Sequence, residues 1–115
     1  MSNPQRNLTH QQFISTAIEA IHTEMAALEL LTEQIDDRFA QACDIILACQ
    51  GRVVVTGMGK SGLIGRKIAA TFASTGTPAF FMHPGEAGHG DLGMLVQGDV
   101  LLAISNSGES DEIRM

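Results

Sequence analysis

The sequence predicts an α/β fold with a doubly wound parallel sheet that is incomplete and is preceded by two N-terminal helices. Short apolar runs at residues 53–55, 79–82 and 100–104 alternate with helical patterns, and strands that alternate with helices form parallel sheets. A further helical pattern begins near residue 111, about one turn before the last residue. Because parallel sheets usually have more strands than this, we expect the chain to be the N-terminal part of a larger domain.

The residues before Gly51 predict two helices. Apolar residues recur with helical spacing from about His10 to Ile35. Asp36 or Asp37 could cap a second helix that ends at Gly51, and one continuous helix is the alternative. We predict an N-terminal helical segment over residues 1–36 and a partial α/β domain over residues 37–115. The apolar stripe of the first helix predicts packing on the domain, with a dimer seam as the alternative.

The central stretch predicts a buried strand, a tight turn and the start of a helix. Val53–Val55 is apolar on both faces of the pleat, as in a strand that helices cover on both sides. The turn has three glycines, which let a ligand approach the backbone closely: Gly57, Gly59 and Gly62. The helix is expected from Ser61, with a stripe of Ile64, Ile68 and Phe72 beside Ala69 and Ala73. Free N–H groups at its start favour an anion, most often phosphate.

The remaining helices and strands are predicted from residues that end helices and from short apolar runs. Gly76 and Pro78 end the helix, and residues 79–82 form the second strand. Residues 83–85 form a turn, and residues 86–93 form a loop or a single helical turn. Residues 100–104 form a third buried strand, which leads into a hydroxyl-rich turn at residues 105–110 and a helix from residue 111.

Composition limits the classes of function. The net charge of −6 argues against a nucleic-acid surface. No apolar run has the length of a membrane span and no signal-peptide pattern is seen, which predicts a cytoplasmic protein without a membrane partner. Cys43 and Cys49 are expected to be buried, reduced thiols. Four basic residues cluster around the glycine turn and indicate a small anionic ligand: Arg52, Lys60, Arg66 and Lys67.

The glycine turn has three interpretations. The interpretation as a P-loop fails, because the first glycine of that motif would fall at position 54, which is Val54. The dinucleotide fingerprint Gly57-x-Gly59-x-x-Gly62 matches, but no acid follows the second strand before Glu86. The third is a sugar-phosphate site, in which Ser61 meets a second group of polar residues at the carboxyl edge of the sheet. That group consists of Ser105, Asn106, Ser107 and Ser110. The alternative is that these side chains only cap helices.

Individual residues also have two interpretations. Lys60 lies inside the glycine turn and is predicted to face the ligand, although a lysine is by default a solvated surface residue. His83 and His89 follow the second strand and could reach the same edge, or be structural. Their spacing gives no metal-site pattern. Glu112 is expected at a helix start and becomes a general-base candidate if that helix opens onto the pocket.

Four ordered motifs cover much of residues 10–115. They are Thr56-Gly57-Met58-Gly59-Lys60-Ser61-Gly62, Ala73-Ser74-Thr75-Gly76-Thr77-Pro78, His89-Gly90-Asp91-Leu92-Gly93-Met94 and Ile104-Ser105-Asn106-Ser107-Gly108-Glu109. Together they resemble the sugar isomerase (SIS) domain, which has a flavodoxin-like fold, and more narrowly the D-arabinose 5-phosphate isomerases. That family interconverts D-ribulose 5-phosphate and D-arabinose 5-phosphate and feeds lipopolysaccharide synthesis in Gram-negative bacteria. Its members are typically tetramers with a CBS pair after the SIS domain.

The resemblance implies roles for particular residues. Lys60 and Glu112 match catalytic positions, and His83 and His89 match active-site histidines. His83 also matches a position implicated in binding inhibitory zinc. Gly76 and Thr77 match substrate-contacting positions, whereas Leu63 stands where many relatives have a histidine. The family's further catalytic glutamate and histidine would lie beyond Met115.

The predicted function is therefore aldose–ketose isomerisation of a pentose phosphate through an enediolate, without a cofactor. Lys60 would stabilise the negative charge and Glu112 would act as base or proton shuttle. His83 and His89 would contact sugar hydroxyls, and Ser61, Ser105 and Ser107 would hold the phosphate. A sugar-phosphate-sensing SIS domain and a dinucleotide-dependent enzyme are the alternatives. The 115-residue chain by itself is expected to be inactive and marginally folded.

Overall fold

The computed structural model describes residues 8–87 and 91–106. The chain divides into two compact units, Met1–Ala40 and Gln41–Met115. This division falls four residues after the predicted boundary at residue 36, which stays a prediction. The helix expected from residue 111 lies outside the described residues. No helix in the described part is long and apolar enough to cross a membrane.

The N-terminal helices are two separate elements, α1 (His10–Thr32) and α2 (Asp37–Leu47). Thr9 begins α1 with a capping box: its Oγ1 accepts a hydrogen bond from the Gln12 N–H at 3.2 Å, and Gln12 Oε1 accepts one from the Thr9 N–H at 2.7 Å. Asp36 caps α2, because its Oδ1 accepts the Arg38 N–H at 2.9 Å. The alternative of one continuous helix is therefore wrong. No residue of α1 is buried.

The sheet within the described residues has three parallel strands, β1 (Val53–Gly57), β2 (Ala79–Phe81) and β3 (Val100–Ile104), in the order β2-β1-β3. Residue Val53 lies opposite Ala79 on one side and opposite Val100 on the other. Because β1 has a neighbour on each side, all five of its residues are buried. This arrangement confirms the predicted α/β fold with a parallel sheet.

Helix α3 (Gly59–Ser74) connects β1 to β2 and packs closely on the sheet. Its buried residues are Gly62, Gly65 and Ala69, whereas Ile64 of the predicted stripe is 57% exposed. The prediction was wrong at Ile64 because small residues determine the buried face. A Cβ atom on Gly65 would lie 3.2 Å from Val55 Cγ1 and 3.1 Å from the Phe81 ring, so only glycine allows this approach without a shift of its neighbours.

The two faces of the sheet carry separate apolar clusters. On the α3 face, buried Val53, Val55 and Ala69 are covered by partly buried side chains that include Ile68 and Phe72. On the other face, Val54 and Met82 contact Phe80 and Leu95. The connection from β2 to β3 supplies Leu95 and contains α4 (Pro84–Ala87) and a 3₁₀ helix (Asp91–Met94).

Several local predictions need correction. Helix α2 ends at Leu47 rather than at Gly51, α3 begins at Gly59 rather than at Ser61, and β2 ends at Phe81 rather than at residue 82.

The turn at residues 83–85 and the burial of the cysteines also differ from expectation. The turn expected at residues 83–85 is partly the first turn of α4, since a proline is well suited to the first helical position. Cys43 and Cys49 are free, as predicted, but they are half-buried rather than buried. The Cys49 thiol donates to the Gly98 carbonyl oxygen at 3.3 Å.

Candidate functional site

The carboxyl ends of the three strands meet at one edge of the sheet, which we call the carboxyl edge. Gly57, Phe81 and Ile104 are the last strand residues there. The residues that follow them bring a set of polar side chains to this edge, consisting of Lys60, Ser61, His83, Ser105 and Asn106. Open α/β sheets bind ligands at this position. The structure thus brings together the described members of the predicted site, except Gly76 and Thr77.

The glycine turn joins β1 to α3 with almost no intervening chain. Gly59 has φ +58°, a left-handed conformation that glycine adopts without strain. A Cβ atom on Gly62 would lie 2.6 Å from the Gly57 carbonyl oxygen, closer than packed atoms approach each other. The turn therefore requires glycine at both positions and places the first turn of α3 directly over the end of β1.

The N-terminus of α3 has no side-chain cap among the described residues. Its N-cap residue, Met58, is extended (φ −101°, ψ 148°) and offers no side-chain acceptor. The carbonyl oxygen of Met58 does accept the Gly62 N–H at 3.2 Å, so the helix begins regularly. N–H groups of an uncapped first turn point outwards and, with the helix dipole, form a site for an anion.

Lys60 and Ser61 lie in this first turn. Lys60 is exposed, and the ion pairs among the described residues, Arg38–Asp36 and Arg52–Asp99, do not include it. Ser61 is half-buried, and no residue of the described ranges hydrogen-bonds its hydroxyl. Both side chains are therefore available to a ligand that approaches the helix start.

His83 follows β2 at the carboxyl edge and is half-buried. Its Nδ1 accepts a hydrogen bond from the Gly85 N–H at 3.1 Å, so this imidazole caps the first turn of α4. An accepting Nδ1 places the ring proton on Nε2, which leaves Nε2–H as a donor towards a ligand. This bond fixes the ring orientation and the tautomer together.

The described residues do not complete a zinc site around His83. No group of three or more histidine, cysteine, aspartate or glutamate side chains in that part of the chain could hold a metal ion. His83 offers one nitrogen, which is fewer than the three or four protein ligands usual for zinc. The zinc role of His83 stays a prediction.

Ser105 and Asn106 follow β3. Ser105 is half-buried and Asn106 is exposed. A Cβ atom on Gly57 would lie 3.0 Å from the Ile104 carbonyl oxygen, which shows how closely the ends of β1 and β3 approach. His89, Ser107, Ser110 and Glu112 lie outside the described residues.

Gly76 and Thr77 lie at the other end of α3, beside the amino ends of the strands. Gly76 ends the helix with φ +101°, and the Thr77 N–H donates to the Phe72 carbonyl oxygen at 2.8 Å. Both residues line a cavity of about 200 Å³ together with Ile46, Leu47, Cys49, Gly51 and Pro78. Since α3 is 16 residues long, about 24 Å separates them from Lys60. Their substrate-contacting role stays a prediction, and one chain does not bring them to the carboxyl edge.

The amino edge, where the strands begin, contains a polar cluster that sequence reasoning missed. The cluster includes Arg52, and the prediction that Arg52 lies around the glycine turn is wrong, because the whole length of β1 separates them. Asp99 accepts hydrogen bonds from the Arg52 N–H at 2.8 Å and the Val96 N–H at 3.0 Å. The Arg52 guanidinium donates to the Met94 carbonyl oxygen at 2.9 Å and lies 4.7 Å from the centre of the Phe80 ring. The two backbone donors hold the pKa of Asp99 below its usual value, with the Arg52 charge adding to them and burial opposing them. The only feature of the sequence that could have indicated this cluster is Asp99, an acidic residue that directly follows a glycine.

Thr56 is a second residue that sequence reasoning did not single out as a site residue. It is 2% exposed in β1, and its Oγ1 has no hydrogen-bond partner among the described residues. The signal in the sequence was a hydroxyl at the end of a run of valines, immediately before the glycine turn.

Fold and site together define the class: a doubly wound α/β protein whose polar residues gather at the strand ends, around an uncapped helix N-terminus. Comparison with known families makes this specific, since the model of the SIS domain matches residues 46–115. The chain belongs to the SIS domain family. Membership of this family favours the sugar-phosphate interpretation of the glycine turn over the dinucleotide one.

Curated relatives share more than half of their aligned residues with this chain. The arabinose 5-phosphate isomerase KdsD of Francisella tularensis is 61% identical over 103 residues, which are 87% of this chain and 32% of the relative. KdsD of Yersinia pestis is 62% identical over 95 residues, 83% of this chain and 29% of the relative. The chain thus spans less than a third of the length of these relatives.

Solved structures confirm the fold. An E. coli CFT073 protein in complex with arabinose 5-phosphate superposes with a TM-score of 0.87 at 48% identity, over 93% of this chain and 57% of that one. A sugar-phosphate isomerase structure from Listeria monocytogenes, described as putative by those who solved it, has a TM-score of 0.87 at 29% identity, over 94% of this chain and 57% of that one.

Proposed function

We propose that this chain supplies part of the active site of an aldose–ketose isomerase that interconverts D-ribulose 5-phosphate and D-arabinose 5-phosphate. The observation that carries the proposal is the uncapped N-terminus of α3, with Lys60 and Ser61, at the edge where all three described strands end. The names of the KdsD relatives and the arabinose 5-phosphate complex of the E. coli CFT073 protein support this choice of substrate.

The reaction moves a carbonyl group between two neighbouring carbons of the sugar. A base removes the proton on the carbon next to the carbonyl and generates an enediolate, and the proton then returns to the former carbonyl carbon. A second proton moves between the two oxygens, so that the net change is an isomerisation. The protein must supply a base, a group that stabilises the oxyanion and a proton shuttle between oxygens.

The described residues meet part of this requirement. The phosphate binds at the first turn of α3, where backbone N–H groups and Ser61 face it, with Ser105 and Asn106 on the β3 side. Ser107, outside the described residues, is proposed to bind the phosphate as well. Lys60, which has no described acidic partner, stabilises the negative charge of the enediolate or of the phosphate. His83 donates from Nε2–H to a sugar hydroxyl, because the Gly85 N–H already occupies Nδ1.

Two further roles fall on residues outside the described ranges. Glu112 is the base or the proton shuttle, and His89 contacts a sugar hydroxyl. The reaction needs no cofactor, because it involves proton transfers alone. For Gly76 and Thr77 we keep the role of substrate contacts as a proposal, although in one chain they lie at the opposite edge from Lys60.

The test uses the full-length protein that carries this chain. Incubated with D-arabinose 5-phosphate in D₂O, the protein should form D-ribulose 5-phosphate, and mass spectrometry should detect deuterium on the sugar carbon that accepts the proton. Binding of the sugar phosphate with no product and no deuterium would contradict isomerase activity. That result would instead identify a sugar-phosphate-sensing SIS domain.

We also propose that the 115-residue chain has no isomerase activity by itself. It spans 57% of each of the two solved SIS chains described above, and the resemblance places a catalytic glutamate and a histidine beyond Met115. The same D₂O assay on the purified 115-residue chain should give no product. Measurable turnover would contradict this proposal.

For the full-length protein we propose a homotetramer that acts in the cytoplasm and supplies lipopolysaccharide synthesis. The apolar stripe of α1 supports self-association, because its large side chains are about half exposed, as at Ile14, Ile18 and Ile21. Light scattering should give the mass of four chains, and a monomer would contradict the assembly. A deletion strain should lose lipopolysaccharide assembly, whereas a defect confined to capsule or to sugar-alcohol use would point to a different pathway.

A further inference from the structure

The hydroxyl of Thr56 is a buried polar group that has no hydrogen-bond partner among the described residues. Thr56 is 2% exposed, and its Oγ1 atom makes no hydrogen bond within that part of the chain. Asp99, which directly precedes β3, contrasts with Thr56 because its carboxylate accepts hydrogen bonds from two backbone N–H groups. A buried hydroxyl without a partner loses its hydrogen bonds to water and gains nothing in return. A valine would fill almost the same volume without this cost.

The side chain of Thr56 lies on the face of β1 opposite α3. Side chains alternate along a strand, and Val53 and Val55 belong to the cluster on the α3 face, whereas Val54 belongs to the other cluster. Thr56 shares the face of Val54. A ligand above the end of β1 would therefore have the first turn of α3 on one side and Thr56 on the other.

The end of β1 is also the point where the chain connections change faces. β1 lies between β2 and β3 in the sheet. Helix α3 covers the face of Val55, and the β2–β3 connection, through Leu95, covers the face of Val54. Ligands of doubly wound sheets bind at such switch points, outside the carboxyl ends of the strands.

The two sides of this position suit different parts of a sugar phosphate. The N-terminus of α3 favours the phosphate, since its N–H groups and dipole are positive. The neutral hydroxyl of Thr56 can both donate and accept, which matches a sugar hydroxyl. A ligand that satisfies Oγ1 would explain why a buried hydroxyl with no described partner is retained at this position.

We propose that Thr56 is a substrate-binding residue whose Oγ1 forms a hydrogen bond with a hydroxyl of the sugar. This inference rests on the proposed function, because it takes a sugar phosphate as the ligand. Oγ1 is closed to solvent in this structure, so the ligand reaches it by displacing the atoms that cover it.

The test compares Thr56→Val with Thr56→Ser in the full-length protein. Thr56→Val should raise the melting temperature without ligand by about 2–4 °C, because the unpaired hydroxyl is removed. It should weaken binding of D-arabinose 5-phosphate about tenfold and leave binding of inorganic phosphate unchanged. Thr56→Ser keeps the hydroxyl and should bind the sugar phosphate within about twofold of the wild type.

Results that contradict the role of Thr56 differ from results that contradict the proposed function. If the wild type binds D-arabinose 5-phosphate and Thr56→Val binds it equally well, the role of Thr56 is overturned and the proposed function stands. A lower melting temperature for Thr56→Val would also overturn the inference, because the hydroxyl would then have a partner before the ligand arrives. If the wild type binds no sugar phosphate, the proposed function fails and the role of Thr56 fails with it.

Discussion

The two edges of the sheet differ in how their polar groups are satisfied. At the amino edge, Asp99 accepts two backbone N–H groups and Arg52 donates to the Met94 carbonyl oxygen. The Gly51 N–H donates to the Gly98 carbonyl oxygen at 3.0 Å. At the carboxyl edge, the described residues supply neither a partner for Thr56 Oγ1 nor a side-chain cap for α3. The polar groups of the amino edge thus hold the strands together, whereas the start of α3 at the carboxyl edge has no side-chain cap from the described residues.

This contrast indicates where function and stability reside. A satisfied hydrogen-bond network contributes to the free energy of unfolding, whereas unpaired buried groups lower it. Proteins retain such costs mainly where a ligand or a reaction uses them. We therefore expect substitutions at the carboxyl edge to change activity more than stability, and substitutions at the amino edge to do the opposite.

The largest effect is expected for Lys60→Ala in the full-length protein. Removing a positive charge that stabilises the developing oxyanion should lower kcat about a hundred- to a thousandfold, with an unchanged melting temperature because the side chain is exposed. Steady-state kinetics and thermal unfolding measure the two quantities.

Lys67→Ala is the matched control for Lys60→Ala. Lys67 is an exposed lysine on the same helix, about two turns further along, and its removal should leave kcat within about twofold of the wild type. Near-normal turnover of Lys60→Ala, or equal losses in the two variants, would contradict the catalytic role of Lys60 and weaken the contrast between the edges.

Gly62→Ala tests whether the glycine turn at the carboxyl edge requires a residue without a side chain. The added Cβ atom would lie 2.6 Å from the Gly57 carbonyl oxygen, and relieving this overlap should lower the free energy of unfolding by about 2 kcal/mol. Gly93→Ala is the control, since no atom of the described residues lies within 4 Å of its added Cβ. Urea unfolding measures both variants, and equal stabilities would mean that the turn adapts to a side chain.

The smallest effect is expected for Asp99→Asn, and it should depend on pH. Backbone N–H donors lower the pKa of Asp99 in the folded protein, so its carboxylate stabilises the fold above the unfolded-state pKa of about 3.9. This contribution is lost as the pH falls through the lower folded-state pKa. The difference in stability between wild type and variant should be largest at neutral pH and shrink below about pH 4.

Asp36→Asn is the control for this pH dependence. The pKa of Asp36 is also lowered, by its hydrogen bonds with Arg38, but the pair lies at the surface, with 84% of the Arg38 side chain exposed. Exposed pairs contribute little, so its stability change should be smaller at every pH. Urea unfolding at several pH values measures both, and a pH-independent difference for Asp99→Asn would exclude the carboxylate as its source.

Local patterns determined much of the fold. The valine run predicted a buried strand, and Val53, Val54 and Val55 are each 0% exposed. Gly76 predicted the end of α3 and adopts φ +101° there. These features were predictable because spacing, β-branching and glycine act within a few residues of one another.

Other features depended on neighbours that are distant in sequence. The stripe predicted for α3 included Ile64, but the sheet packs against Gly62 and Gly65, whose lack of a side chain permits close contact with Val55 and Phe81. Asp99 and Arg52 are 47 residues apart in the chain, so no local pattern could have predicted their interaction.

The order of strands and helices was predictable from the sequence alone, as were the glycine turn and the polar residues after each strand. These features depend on local backbone preferences and on short-range periodicity. The folded structure was needed to show that β1 lies between its two partners and that Thr56 is buried without a hydrogen bond from the described residues. It was also needed to show that Gly76 and Thr77 lie at the edge opposite Lys60. Strand order, burial and hydrogen-bond satisfaction all depend on contacts between segments far apart in the chain, and those contacts form only when the whole sheet assembles.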